Sequence, residues 1–326
     1  MKGLLIAIVT MNRRDDLRQC LGSIRASENP VGDILIIDNN STDGTPEMVL
    51  KAYPDVRLIR NRDNIGCAAA RNQAFKYGIE HDYRYVQLLD DDVIVGDRMI
   101  EKLVAAMKGT EIFGMAAPTL CDARRPEFVY WGGGTFAFKI GFQCGNKGKS
   151  TKELEALEPV ETDWVLGGVS LVACDTIRKV GYLNDRMGLF GAEDYEYSLR
   201  VRRTGIKICW VPSAVAYHQF GGGNPDDRCG DTAKIYYNWY TLYKIYFSIF
   251  GVTKIPCSLY VLSRRLKWQL DEYFSRGNEE QAAAALSAFW DIVRLKKCQP
   301  SLRCPGLLFR SARWNANRNR KRSVQG

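Results

Sequence analysis

At 326 residues, with 46% hydrophobic and 25% charged content, the chain has the composition of a folded globular protein with a substantial core, not of a disordered or fibrous one. Its net charge of +9 is localised: the ten Lys and Arg between Val293 and Gly326 face no Asp or Glu, and without them 36 basic residues stand against 37 acidic ones. A near-neutral body argues against nucleic acid as the main partner and confines basicity to the C-terminal end.

In chain order, Leu4–Val9 reads as a buried strand rather than a signal peptide, because the apolar run is short and meets Asn12-Arg13-Arg14. Asp15–Arg25 reads as a helix with Leu17, Leu21 and Ile24 on one face. Ile34–Ile37 is a second strand, followed by Asp38-Asn39-Asn40-Ser41-Thr42-Asp43-Gly44 and a helix opened by Thr45-Pro46-Glu47. Val56–Ile59 is a third strand, Ala68–Ile79 a helix, and Tyr85–Leu89 a fourth strand running into Asp90-Asp91-Asp92. Strand–helix units of this length predict a parallel sheet with helices on both faces, whose ligands bind at the carboxyl ends of the strands. The polar clusters Thr10–Arg13, Asp38–Asp43, Asn61–Gly66 and Asp90–Asp92 fall at those ends.

The middle, 112–220, mixes strands and glycine-rich loops, including Trp131-Gly132-Gly133-Gly134. Lys147–Glu158 reads as a flexible loop, Asp194–Thr204 as a helix, and Lys207–Val211 as a strand. After Asp231 the pattern turns helical, over Ile235–Phe250, Leu259–Phe274 and Glu279–Leu295. The aromatic-rich segment Tyr236–Phe250 is read as a core-facing helix in preference to an interfacial membrane helix. No run of about 20 apolar residues suggests a spanning helix. The ten cysteines carry no metal-ligand spacing and read as free thiols of a reducing compartment, Cys298 and Cys304 included.

In an extended chain Asp90 and Asp92 share a face, while Asp91 points away. Adjacent carboxylates stay ionised only if cations or donors neutralise them, and a hard divalent ion that also bridges a diphosphate does this. An acidic turn or helix cap is the alternative. His218, after the apolar strand Ser213–Tyr217 and before Gly221–Gly223, is a candidate third ligand or else a packed histidine. Glu193-Asp194-Tyr195-Glu196 opens a helix. First-turn acids favour the helix dipole, and after the glycine-flanked loop Met187–Gly191 the pair Glu193-Asp194 can also face a cleft, where one carboxylate serves as general base.

These residues together resemble the family 2 glycosyltransferases, inverting enzymes of the GT-A fold, from about Leu4 to Phe220. Thr10-Met11-Asn12-Arg13 and Asp38–Thr45 resemble the family's nucleotide loops. Asn64-Ile65-Gly66 through Arg71-Asn72 resembles the helix closing the nucleotide pocket, Leu89–Asp92 the metal-binding DxD motif, Asp163–Gly168 the acceptor-side strand, and Glu193–Glu196 with Arg200 the ED motif. The spacing is similar to the rhamnosyl- and galactofuranosyltransferase-like branch. The resemblance implies an α/β GT-A domain over 1–225, with a nucleotide half to about 110 and an acceptor half beyond. A helical appendage over 226–300 and a basic tail over 301–326 follow.

It further implies that Thr10, Asn12, Arg13, Asp38, Asn40, Asn64, Gly66, Arg71 and Asp91 line the nucleotide. Asp90, Asp92 and His218 would hold Mn2+ or Mg2+, Trp164, Gly167, Gly168 and Glu193 would face the acceptor, and Asp194 would be the base. The implied partners are a UDP- or dTDP-sugar and a glycan or lipid-linked acceptor of cell-surface polysaccharide synthesis. Free thiols and the lack of a secretory signal point to a cytoplasmic location, and the basic tail reads either as a contact with the inner face of an anionic membrane or as a solvated end that aids solubility. The QxxRW signature of processive synthases is absent, which points to addition of one or a few sugars. A metal-dependent nucleotidyltransferase acting on sugar phosphates is the alternative. The lack of a glycine-rich loop after the first strand speaks against it.

Overall fold

A computed structural model describes residues 2–26, 32–109, 113–138, 141–187, 192–219, 231–250 and 255–293. The chain divides into two compact units, Met1–Asp185 with Glu193–Asn224, and Arg186–Ala192 with Pro225–Gly326.

The first unit starts with β1 (Lys2–Thr10), α1 (Arg14–Ala26), β2 (Asp33–Asp38), α2 (Thr45–Ala52), β3 (Arg57–Arg60), α3 (Cys67–Glu80) and β4 (Tyr83–Asp90). Leu4 to Ile8 in β1 are buried on both faces, as an inner parallel strand requires. Leu17, Cys20, Leu21 and Ile24 bury one stripe of α1, while Asp15 and Asp16 in its first turn and Arg25 in its last suit its dipole. On α3, Gly78 faces Val86 so closely that a Cβ would lie 2.5 Å from the valine methyl, which lets the helix pack tightly on β4.

Then come β5 (Val93–Val95), α4 (Met99–Met107), β6 (Phe113–Asp122), β7 (Arg125–Trp131), β8 (Gly134–Ala137), β9 (Gly141–Cys144), β10 (Val160–Glu161), β11 (Leu171–Ala173), α5 (Cys174–Val180), α6 (Glu193–Arg203) and β12 (Lys207–His218). The main sheet runs β10-β12-β6-β11-β4-β1-β2-β3, with β5 on β12 and β7 on β6. β4-β1-β2-β3 is parallel, whereas β11 is antiparallel to both β4 and β6. The sheet is therefore mixed rather than wholly parallel, and the middle of the chain extends it. Expected strands Lys207–Val211 and Ser213–Tyr217 form one strand, β12, with a register shift between Val211 and Val215.

Two segments of the middle take definite roles. Gly132–Gly134 make room for indoles: a Cβ on Gly134 would lie 2.3 Å from Trp164, and one on Gly132 or Gly133 within 3.2 or 3.3 Å of Trp210. Lys147–Glu158 is ordered by a 3-10 turn with a Ser150–Glu153 capping box and by buried Leu154.

The second unit contains α7 (Asp231–Phe250), α8 (Ile255–Ser275) and α9 (Glu279–Val293). Tyr237, Trp239, Tyr240, Tyr243 and Tyr246 of α7 are buried, as are Ala282, Ala284, Ala285 and Ala288 of α9. Tyr243 meets Phe289 edge-on at 5.7 Å, and the Tyr236 hydroxyl donates to Asp291 at 2.9 Å. The aromatic helix is thus a core element of this unit. Among the described residues no helix is long and apolar enough to cross a membrane. The glycine-flanked loop 188–191, Gly221–Gly223, Cys298, Cys304 and the tail 301–326 lie outside the described residues.

Candidate active site

Register alone gathers the polar clusters. Thr10 lies opposite Asp38, Asp38 opposite Arg60, and Val9 opposite Asp90, so the ends of β1, β2, β3 and β4 form one rim. Loop 1 and loop 2 are laced together there. Asn12, in a left-handed conformation (φ 53°), donates its backbone N–H to the Ser41 hydroxyl at 2.8 Å and accepts from the Thr42 N–H at 2.7 Å. Buried Asp38 accepts from the Ser41 N–H through both oxygens, at 3.2 and 3.1 Å, and lies 3.7 Å from Arg60 Nε. Asn40 is exposed with φ 68°. The Asn64 side chain accepts from the Gly66 N–H at 2.9 Å, and Gly66 (φ 84°) begins α3. Ser41 and Asn39, the latter 2.8 Å from Asn61, hold this rim but were not singled out in the sequence.

The acidic cluster is sorted by its neighbours. Asp91 is buried, accepts from Thr10 Oγ1 at 2.7 Å and lies 3.3 Å from Arg13 Nη1. Burial pushes its carboxyl up to about 7, with Arg13 opposing and Asp92 adding to the rise. Asp90 is also subject to burial, but the Arg71 guanidinium on its carboxylate outweighs it and holds the group below its ordinary range. Asp92 pairs with Arg13 on one oxygen, and its other oxygen lies 3.3 Å from His218 Nε2.

His218 reaches this place because β12 pairs antiparallel with β5, setting His218 opposite Val93, with the Gln219 N–H on the Asp92 carbonyl at 3.0 Å. A three-residue strand of this kind leaves no periodicity to read in a sequence. Asp90, Asp92 and His218 each offer a ligand atom, all within 4.8 Å of one another. Two carboxylates and an imidazole are a donor set that suits Mn2+ and tolerates Mg2+.

Arg71 ties this cluster to the second acidic motif. Its guanidinium is buried, with Nη2 2.6 Å from Asp90 Oδ1 and Nη1 2.7 Å from Glu193 Oε1. Asp194, next along α6, accepts from the Gly167 N–H at 3.1 Å and from the Tyr195 N–H at 2.8 Å. Burial, reinforced by the neighbouring Glu193 charge, raises the Asp194 carboxyl to about 7 despite those donors. Glu196 is paired with Arg200 at 2.9 Å, a helix-stabilising contact.

The diglycine is packed into the same network. A Cβ on Gly167 would lie 2.7 Å from Arg71 Nη1, and one on Gly168 would lie 2.0 Å from Asp90 Oδ2. These glycines accommodate protein side chains, a role their sequence did not distinguish from that of a ligand-facing loop. Trp164 is only 1% exposed and donates to the Thr135 carbonyl at 3.2 Å, while its ring meets Tyr195 edge-on at 4.5 Å. Arg71, Asp91 and Trp164 thus engage protein groups.

Polar loops on a parallel rim, a cluster of two carboxylates and a histidine beside them and a carboxylate of raised proton affinity at a helix start are arranged as in the GT-A fold. Residues 5–122 match Glycosyl transferase family 2. Over this stretch, which holds β1 to β6, the chain is similar to the family 2 glycosyltransferases, and the match supports a glycosyltransferase and not a nucleotidyltransferase.

It is 29% identical over 235 residues to the N-acetylglucosaminyl-diphospho-decaprenol L-rhamnosyltransferase of Mycobacterium tuberculosis (strain ATCC 25618 / H37Rv), covering 66% of this chain and 75% of that one. In fold it is similar to GalNAc-T7 solved with UDP, GalNAc and Mn2+ (TM-score 0.54, 16% identity, 80% of this chain and 54% of that one). It is also similar to the mannosyltransferase PcManGT of Pyrobaculum calidifontis with GDP-Man and Mn2+ (TM-score 0.52, 15% identity, 90% of this chain and 76% of that one). The chain therefore spans about half the length of the GalNAc-T7 chain.

Proposed function

We propose that this glycosyltransferase moves one hexosyl or deoxyhexosyl unit, with inversion, from a UDP- or dTDP-sugar to a hydroxyl of a glycan or lipid-linked acceptor in cell-surface polysaccharide synthesis. The observation that carries the reading is the buried Arg71 bridge, which joins the Asp90 carboxylate to the α6 start that bears Asp194. Asp90, Asp92 and His218 would hold Mn2+ or Mg2+, which when bound neutralises the charge growing on the departing diphosphate. Loops 1 and 2, with Asn12, Asp38 and Asn40, receive the nucleoside. Asp194 accepts the proton of the attacking hydroxyl, for which a proton affinity near neutrality is well matched. Tyr195 and Glu193, beside it, face the acceptor side.

The test is transfer from UDP- and dTDP-sugars to a synthetic lipid-linked acceptor, with Mn2+ or Mg2+ and after dialysis against EDTA, with the product anomer read by NMR coupling. Loss of transfer on chelation, rescue by added metal, and an anomer opposite to the donor's are expected. Full activity without metal, or retained configuration, overturns the reading.

A peripheral contact with the inner face of the membrane is part of the proposal. On α8, Tyr260, Trp268 and Phe274 are exposed, Trp268 by 66%, and share a helical face with exposed Arg264 and Lys267. Aromatic and basic side chains together suit an anionic interface, and the ten Lys and Arg between Val293 and Gly326 add to the positive charge. Full-length protein should co-sediment with phosphatidylglycerol-containing vesicles at low salt. Binding should weaken after Trp268→Ala and after removal of 310–326, and equal sedimentation of all three at low and high salt refutes the contact.

A further inference from the structure

The donor side of the site contains a cation of its own. Arg13, at the end of loop 1, inserts its guanidinium between Asp91 and Asp92: Nη1 pairs with Asp92 Oδ2 and lies 3.3 Å from Asp91 Oδ1, while Nε is 3.7 Å from Asp16. Asp92 is also one of the three residues able to hold the divalent ion, and its second oxygen faces His218. One carboxylate thus serves both the arginine and the metal set. The arginine contact neutralises the cluster before any ion arrives. Arg71 cannot take over this work, because its two terminal nitrogens are engaged by Asp90 and Glu193.

The side chain that occupies the cluster is also placed to leave it. Arg13 Cα belongs to loop 1, at the rim where β1 and β2 end, and its carbonyl accepts the first N–H contact of α1, from Leu17 at 2.9 Å. Its guanidinium is partly exposed, at 19%, whereas that of Arg71 is at 6%. Asp16, in the first turn of α1, lies against the Nε edge. A change in its side-chain torsions would carry the terminal nitrogens away from Asp92 without moving the backbone at the start of α1.

We infer that Arg13 is a displaceable placeholder in the metal site, which yields Asp92 to the divalent ion and turns to the diphosphate of the incoming donor. The inference rests on the proposed metal role of Asp90, Asp92 and His218. Its basis is electrostatic. A guanidinium and a divalent cation on one carboxylate repel each other, so the ion binds the free protein weakly. A nucleoside diphosphate offers the displaced arginine a new anionic partner, one that suits its two-pronged donor geometry. Metal and donor therefore favour each other's binding by the same factor, as linkage demands. Arg13 is a positioning residue in this scheme, and it sets the order in which the site fills.

The test measures binding in full-length protein without turnover. Mn2+ affinity is determined by electron paramagnetic resonance and calorimetry, alone and with saturating UDP or dTDP, for wild type, Arg13→Gln and Arg13→Lys, each checked for native circular dichroism. Arg13→Gln should bind Mn2+ alone about 10-fold more tightly than wild type and UDP or dTDP more weakly, and the nucleotide should enhance its Mn2+ affinity less. Arg13→Lys, which keeps the charge, should stay close to wild type for Mn2+ alone. Unchanged or weaker Mn2+ binding by Arg13→Gln, or equal tightening in the Gln and Lys variants, overturns the placeholder role. Absence of Mn2+ binding by every protein, even with nucleotide, overturns the metal reading itself and the placeholder with it.

Discussion

Substituting Gly168 by alanine tests the packing logic of the site with a single methyl group. The added Cβ would sit 2.0 Å from Asp90 Oδ2, 2.5 Å from its Cγ and 3.1 Å from Oδ1, about 1.4 Å inside the 3.4 Å at which ordinary contact begins. The carboxylate cannot simply swing aside, because Oδ1 is held at 2.6 Å by Arg71, and Arg71 is held at 2.7 Å by Glu193. Relief must come from moving Asp90, the bridge or the 3-10 turn Gly167–Val169, and forcing a methyl into a packed site costs about 1–3 kcal/mol.

A displacement of about 1 Å at a positioned catalytic group lowers rates on the order of 10²-fold. Gly168→Ala should therefore lose about 10²-fold in transfer and weaken Mn2+ binding, with urea unfolding showing the stability loss. Gly22→Ala is the control: nothing lies within 4 Å of its Cβ on the exposed face of α1, so alanine should stabilise by about 0.5–1 kcal/mol. A Gly168→Ala enzyme with wild-type metal affinity and rate would refute the placement of Asp90 beneath the diglycine.

The base makes a second prediction. Because burial raises the Asp194 carboxyl to about 7, its ionised, proton-accepting form is lost as pH falls through that value. At saturating metal, kcat/KM should rise with a midpoint near 7 and level off above it, and a midpoint near 4 would argue against this base. Asp194→Asn should lose about 10²–10⁴-fold in transfer, with little change in donor affinity by thermal shift. The Arg71 bridge makes a third. Arg71→Met leaves buried Glu193 and partly exposed Asp90 uncompensated, so equilibrium urea unfolding should show a loss of about 3–5 kcal/mol, and Arg71→Lys should restore part of it. A loss under 1 kcal/mol for Arg71→Met would show that the bridge contributes little.

Much of the nucleotide half was legible in the sequence because its signals are local. Six alternating elements from β1 to α3 follow hydrophobic periodicity, and the rim clusters sit at strand ends because parallel strands leave their carboxyl ends on one edge. The Asp90–Asp92 motif, Glu193-Asp194 and His218 were likewise recognisable as residue types in a known order. Their wiring was not. The pairing of Arg71 with Glu193, 122 residues apart, depends on α3 and α6 meeting across the fold. The approach of His218 to Asp92 depends on the three-residue strand β5, too short to carry a period.

The glycines of Gly132–Gly134 and Gly167–Gly168 look alike in the sequence. Only tertiary structure separated those that admit the Trp164 and Trp210 indoles from those that admit Arg71 and Asp90. In α7 the sequence displayed an aromatic helix with two possible fates, and burial placed its Tyr237, Trp239, Tyr240, Tyr243 and Tyr246 in a core, whereas Tyr260, Trp268 and Phe274 of α8 and Trp290 of α9 are exposed. Sequence by itself determined the elements and the chemistry of the side chains, since both are written in local periodicity and residue type. Tertiary structure decided which charges meet and which are buried, because those energies depend on distance and desolvation.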